Sequence, residues 1–201
     1  MEKLLKGALF WQKSNEKSNK KYIYDNTDEE VITYTEKIKT SKSNFDETIV
    51  ATYFNLRKSL KRQDYDKHDK IVIVKNNNIM FCPFEVTDVF TSQSNVFNIL
   101  EEYWKANDTV NELNIDITPA TTENIKNILK NVSLEEIKIG IQIWETLPCR
   151  IKKINIYEPE KNCHIVWVAK KLLPMFVNKK VFQKLNFIKC DLSVSKHRKA
   201  Y

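Results

Sequence analysis

The spacing of apolar residues changes at Ile71, and this change limits the folds open to the chain. Before it, apolar residues recur every three or four positions, the helical period. Val31, Tyr34, Thr35 and Ile38 mark one such face, and Phe45, Ile49, Thr52, Tyr53, Leu56 and Leu60 another. Thr27-Asp28-Glu29-Glu30 reads as a capping box for the first helix, and Asn44 as the cap of the second. Ser14 to Lys21 is polar and reads as a loop.

From Ile71 onward, short β-branched runs alternate with helical stretches. Ile71-Val72-Ile73-Val74 fits a strand covered on both faces. Asn76-Asn77-Asn78 reads as a turn and Ile79 to Cys82 as a short strand. Val96, Ile99, Leu100, Tyr103 and Trp104 have helical spacing, and Leu113 to Ile117 reads as a strand ended by Pro119. Thr121 to Asn131 reads as a helix with Ile125, Ile128, Leu129 and Val132 inward. Ser133-Leu134-Glu135-Glu136 is a second capping box, opening a helix striped by Leu134, Ile137, Ile141 and Trp144 that Pro148 helps to end. Ile151 to Tyr157 is a strand, and two apolar-basic helices follow, Ile165 to Phe176 and Val181 to Phe187. The alternation predicts an α/β fold, a mostly parallel sheet flanked by helices, with an N-terminal helical lobe. The expected division is residues 1–62 for the lobe and 63–201 for the α/β part. No internal repeat stands out.

Charge is uneven. The net charge is +7, yet residues 150–201 hold 13 Lys/Arg against 3 Asp/Glu, while residues 71–149 hold 5 against 11. A basic C-terminal quarter can face an anionic membrane, a phosphate headgroup or nucleic acid, or it can be a solvated lysine surface. Nucleic acid is not an expected partner. No named binding motif is present, and most of Trp144, Tyr157, Trp167 and Phe187 are explained by core periodicity. No GxSxG, P-loop, GxGxxG or HExxH pattern occurs. Cys163 and His164 are adjacent, so on a helix they point about 100° apart and form no easy dyad. Asp116 ends a strand without a visible catalytic partner. The chain therefore reads as no enzyme, with no catalytic residue, cofactor or metal expected. Cys82, Cys149, Cys163 and Cys190 make no CxxC pair, which fits free thiols in a reducing compartment. No signal peptide and no apolar run of roughly 20 residues is read. A cytoplasmic protein, able to sit peripherally on membranes, is the expectation.

Three stretches carry a resemblance. The first runs from Tyr34-Thr35-Glu36-Lys37-Ile38-Lys39 through Asn44-Phe45-Asp46-Glu47 to Tyr53-Phe54-Asn55-Leu56-Arg57. The second is Leu113-Asn114-Ile115-Asp116-Ile117-Thr118. The third is Leu147-Pro148-Cys149-Arg150-Ile151-Lys152-Lys153-Ile154-Asn155-Ile156-Tyr157-Glu158-Pro159, followed by Lys171-Leu172-Leu173-Pro174-Met175-Phe176. In this order they resemble the CRAL-TRIO family of lipid-transfer domains, which includes the tocopherol-transfer and retinaldehyde-binding proteins, in an insect-like, C-terminally shortened form. The resemblance implies non-covalent binding of a hydrophobic small molecule or lipid and its transfer between membranes, by a monomer. Its implied pocket is lined by Phe90, Phe97, Ile115, Ile117, Ile154, Ile156, Ile165, Val168 and Leu172, with helix Ile165–Phe176 as the gate. Plain core packing is the competing reading of the same residues. Lys152, Lys179, Lys180 and Lys184 are implied to meet phosphoinositide headgroups on an anionic membrane surface. The alternative function is a scaffold that lacks the pocket and acts through protein contacts.

Overall fold

A computed structural model of the chain describes residues 29–42, 45–86, 88–159, 164, 166–168, 170, 171 and 179–189. Thr27, Asn44, Ile165, Leu172 and the stretch Ser14 to Lys21 lie outside these residues.

Helices α1 (Glu29–Ser41) and α2 (Glu47–Leu60) open the described part. Asp46 caps α2, its carboxylate accepting from the Thr48 N–H at 3.0 Å. A hairpin follows, β1 (Val72–Lys75) and β2 (Asn78–Phe81). Its two-residue turn places Asn76 at φ 50° and Asn77 at φ 60°. Asparagine tolerates this left-handed region, so no glycine is needed. A 3₁₀ turn (Pro83–Glu85) leads to α3 (Val89–Ala106), capped by Asp88. Then come β3 (Thr109–Asp116), α4 (Thr122–Asn131), α5 (Leu134–Glu145) and β4 (Arg150–Glu158). The expected capping box of α5 is present, with Ser133 and Glu136 each bonding the other's backbone N–H. A short α6 (Lys179–Phe182) precedes β5 (Leu185–Lys189).

The five described strands form one sheet in the order β1-β2-β3-β4-β5. β1 and β2 are antiparallel, and the other three pairings are parallel. The coarse class is therefore α/β with a mostly parallel sheet. Because the parallel strands run in sequence order, right-handed crossovers put their helices on one face. The packing agrees. Trp144 of α5 stands edge-on to Phe81 at 5.1 Å, and α2, α3 and α5 pack together.

Register sorts the side chains. Ile79, Leu113, Ile154 and Leu185 lie abreast, as do Phe81, Ile115, Ile156 and Phe187. Both rows share the helix-covered face. One position between them, Met80, Asn114, Asn155 and Asn186 lie abreast on the opposite face. A single apolar cluster joins Leu113, Ile154 and Val72 of the sheet to Val96 and Leu100 of α3, Ile143 of α5, and Tyr34, Ile38, Tyr53 and Leu56 of α1 and α2. Helices α1 and α2 of the expected lobe thus share the core of the sheet.

Three local expectations are corrected. β1 stands at one end of the described strands, and while Val72 is buried, Ile73 is half-buried and Val74 is 38% exposed, so coverage is complete only at its start. On α5, Leu134 and Ile141 face out and Ile143 faces in. That helix carries isoleucine at alternate positions from 137 to 143, so helical spacing alone admits more than one inward face. The expected helix Val181 to Phe187 ends at Phe182, and Leu185-Asn186-Phe187 is strand. These residues alternate with period two and find parallel partners in Ile154-Asn155-Ile156, a non-local pairing that overrides local helical spacing.

Tyr34 ties α1 to the rest. It is fully buried and stacks on Tyr53 at 3.9 Å, with Trp104 edge-on at 5.7 Å. Its hydroxyl donates to the Thr146 carbonyl at 2.6 Å, 112 positions away. Tyr34→Phe strands that carbonyl in the core and should cost about 1–2 kcal/mol in urea unfolding. Tyr34→Ala should cost roughly 3–5 kcal/mol. Equal stability of all three proteins would remove Tyr34 from this role.

Candidate functional site

Of the residues expected to line a lipid pocket, those described fall in several places. Phe97 and Ile154 are buried in the core, and Phe97 lies 5.7 Å from Tyr53. Ile115 and Ile156 are register neighbours packed against the same core. Ile117 lies just past β3, half-buried, its N–H donating to the Tyr157 carbonyl. Phe90 is 47% exposed at the start of α3 and lies under the Arg62 guanidinium at 4.6 Å. Val168 is half-buried on a helical stretch, while Ile165 and Leu172 lie outside the described residues. Ile115, Ile154, Ile156 and Phe97 are thus gathered, but as packed core.

The expected headgroup lysines are also divided. Lys152 is exposed and donates to the Asn111 side chain at 2.8 Å, while Lys184 donates to the Ile151 carbonyl at 2.7 Å. Lys179 and Lys180 belong to α6, and their side chains lie outside the described part. The helical residues nearby expose Trp167 (57%), with the Lys171 ammonium 5.8 Å from its ring, and α6 exposes Val181 and Phe182.

Two features were not anticipated. One is the asparagine row. The Asn155 amide donates to the Asn114 carbonyl oxygen at 2.8 Å, and Tyr157 reaches the same oxygen at 3.4 Å. Asn114 and Asn155 are buried, and among the described residues Asn155 Oδ1 has no hydrogen-bond partner. Lys153 and Glu112 pair at 3.4 Å at the exposed end of this face. The sequence signal was the triplet apolar-Asn-apolar at Leu113, Ile154 and Leu185. Unequal intervals between the three hide it.

The other is a cavity of about 530 Å³ beside β1. Lys67, His68, Asp69 and Lys70 form one wall, and Ile99, Glu102 and Tyr103 of α3 another. Val72, Ile73 and Val74 form the third. Neighbouring strand residues point to opposite faces, so a cavity touching all three runs along the strand's edge. Lys67 pairs with Glu102 at 2.7 Å. Asp69 is turned inward, accepting from the Ile71 N–H at 2.9 Å and from the Asn95 amide.

One buried carboxylate is structural. Glu101 is buried on α3, accepting from the Tyr53 hydroxyl at 2.8 Å and Arg57 Nε at 3.0 Å, with Lys61 at 3.2 Å. This pins α2 to α3, and burial together with the Glu101 charge pushes the Tyr53 phenol far up. Among the described residues no group of His, Cys, Asp and Glu could hold a metal, and no helix is long and apolar enough to cross a membrane. No protein-family model and no curated protein sequence matches the chain.

Burial pushes the Cys149 thiol up to about 12. It therefore stays protonated through pH 8, and the thiolate is the reactive form. Iodoacetamide at pH 8, read by peptide mass spectrometry, should leave Cys149 unmodified in the native protein under conditions that fully label the unfolded chain. Native labelling at the unfolded rate would contradict the buried thiol.

Proposed function

We propose that the chain is a non-catalytic protein-interaction module, an α/β scaffold that keeps its apolar residues for its own core and offers its surface to partners. What carries this reading is where the apolar side chains go. Phe97, Ile115, Ile154 and Ile156 are consumed by packing, whereas the cavity has mixed polar and apolar walls and lies at the sheet edge. A lipid site needs a mostly apolar lining that closes over its ligand. The test is twofold. Protein purified from its native source is extracted into organic solvent and analysed by mass spectrometry, and lysine-reactive crosslinking is run in the same cells. No stoichiometric lipid, with crosslinks from Lys67 or Lys70 to a recurring polypeptide, is the expected result. A lipid recovered at one per chain would overturn it in favour of a CRAL-TRIO-like carrier.

A second reading keeps the membrane part of the resemblance and rests on Trp167. A large exposed indole with a lysine over its ring suits a bilayer interface better than open water. Trp167→Ala, and separately Lys179→Glu with Lys180→Glu, should each weaken sedimentation with phosphatidylserine vesicles several-fold, and 0.5 M salt should weaken it further. Equal binding of all forms to neutral and anionic vesicles would end this reading.

A further inference from the structure

The end of the sheet where β3 and β4 begin gathers cations that carboxylates do not match. Arg150 and Lys152 are exposed at the start of β4, two positions apart, which is roughly 7 Å of strand. The Arg150 guanidinium donates to the Thr40 carbonyl at 3.3 Å, so Lys39 of α1 and Lys42 just past it lie against this strand end. From the other side Lys184, ahead of β5, reaches the Ile151 carbonyl at 2.7 Å. Among the described residues none of Lys39, Lys42, Arg150, Lys152 and Lys184 makes an ion pair, whereas Lys67, Lys105, Lys153 and Lys170 each meet a glutamate. The carboxylates at hand are Asp108, which Lys37 already holds at 2.9 Å, and Glu145 near Lys42. Burial, reinforced by the charge of Lys184, holds the Lys42 ammonium below its usual pKa although Glu145 pulls the other way. An anion set among these groups would relieve that repulsion.

The arrangement selects the kind of anion. Arg150, Lys152 and Lys184 are each held by a different neutral oxygen, the Thr40 carbonyl, the Asn111 side chain and the Ile151 carbonyl. They are positioned in advance at three anchors, with donors to spare. Such spacing suits single charges distributed along a chain. A compact phosphate is favoured by a helix N-terminus, whereas α1 turns its carbonyl end to this place. A single-stranded nucleic acid needs a run of exposed rings among the cations. Here Phe45 is half-buried with Lys39 over it, and Phe182 is the one exposed ring near Lys184 among the described residues. An extended polypeptide sets alternate side chains about 7 Å apart on one side, the spacing of Arg150 and Lys152.

We propose that this end of the sheet docks an acidic, extended segment of a partner protein, whose Asp and Glu side chains pair with Lys42, Arg150, Lys152 and Lys184. This rests on the protein-interaction reading and names the partner's chemistry.

The test uses the full chain and a fluorescein-labelled dodecapeptide that alternates Glu with Ser, read by fluorescence polarisation in about 0.1 M salt. The peptide should bind, and the same peptide with Gln for Glu should not. Arg150→Glu with Lys152→Glu should weaken binding at least about tenfold. Lys126→Glu with Lys130→Glu, the same charge change on exposed positions of α4, should weaken it less than about twofold. Carbodiimide crosslinking of the peptide to the wild-type chain gives a readout independent of any variant's folding. Mass spectrometry should place the crosslinks at Lys42, Lys152 or Lys184, and not at Lys126 or Lys130. Equal weakening by both double variants, crosslinks spread over both sets of lysines, equal binding of the Gln peptide, or no binding at all would overturn the proposal. Displacement of the peptide by oligouridylate or by phosphatidylserine vesicles, at a lower concentration of charge than unlabelled peptide needs, would assign the surface to nucleic acid or to a membrane, against the proposal. A dimer in sedimentation that Arg150→Glu with Lys152→Glu abolishes would assign it to a second copy, also against the proposal. The interaction reading stands or falls separately, on its lipid extraction and its crosslinks in cells.

Discussion

The parallel pairing of β3 with β4 sets the plan of the molecule. Once Leu113 lies beside Ile154 and Ile115 beside Ile156, both apolar rows must point the same way. A slip of one residue would exchange these isoleucines for asparagines and put amide groups against α3 and α5. β2 and β5 join in the same register, so the apolar rows run unbroken across four strands on the helix-covered face, while the opposite face mixes Met80 and Val110 with the asparagines. The helices follow from that asymmetry. Their apolar stripes cover the face that carries those unbroken rows.

Between the helices, the buried contacts are unusually polar for a core. Tyr34, Tyr53, Trp104 and Glu101 form a stacked and hydrogen-bonded group at the meeting of α1, α2 and α3. A buried carboxylate is costly alone, and here a phenol, a guanidinium and two ammonium groups surround it. Such a group holds the three helices in this arrangement, because Glu101 finds its partners on α2, on α3 and at Lys61. The Arg57 guanidinium also reaches Glu30, whose carboxyl it holds below the usual range, so α1 is tied in as well.

Much of the local structure was legible. The capping box at Ser133 needs only Ser and Glu three apart, and the asparagine turn needs only residues that accept positive φ, so both could be read from neighbours in sequence. β5 could not. Leu185-Asn186-Phe187 is too short to declare a period, and what makes it a strand is Ile154-Asn155-Ile156 lying beside it. The candidate site was less legible still. Ile115, Ile154 and Ile156 were recognised as inward-facing, but a cavity wall and a packed core use the same residues.

The sequence by itself determined the class of the fold, the helical start, the alternation that follows, and the inward direction of the strand isoleucines. These depend on periodicity and capping, which act over a few residues. Only the tertiary structure decided that the described strands run in order, that the asparagines of three strands meet in one row, and that β1 stands at one end of that order. Each of these depends on which strand lies next to which. That choice is made by packing the whole apolar face at once, and no window of sequence contains it.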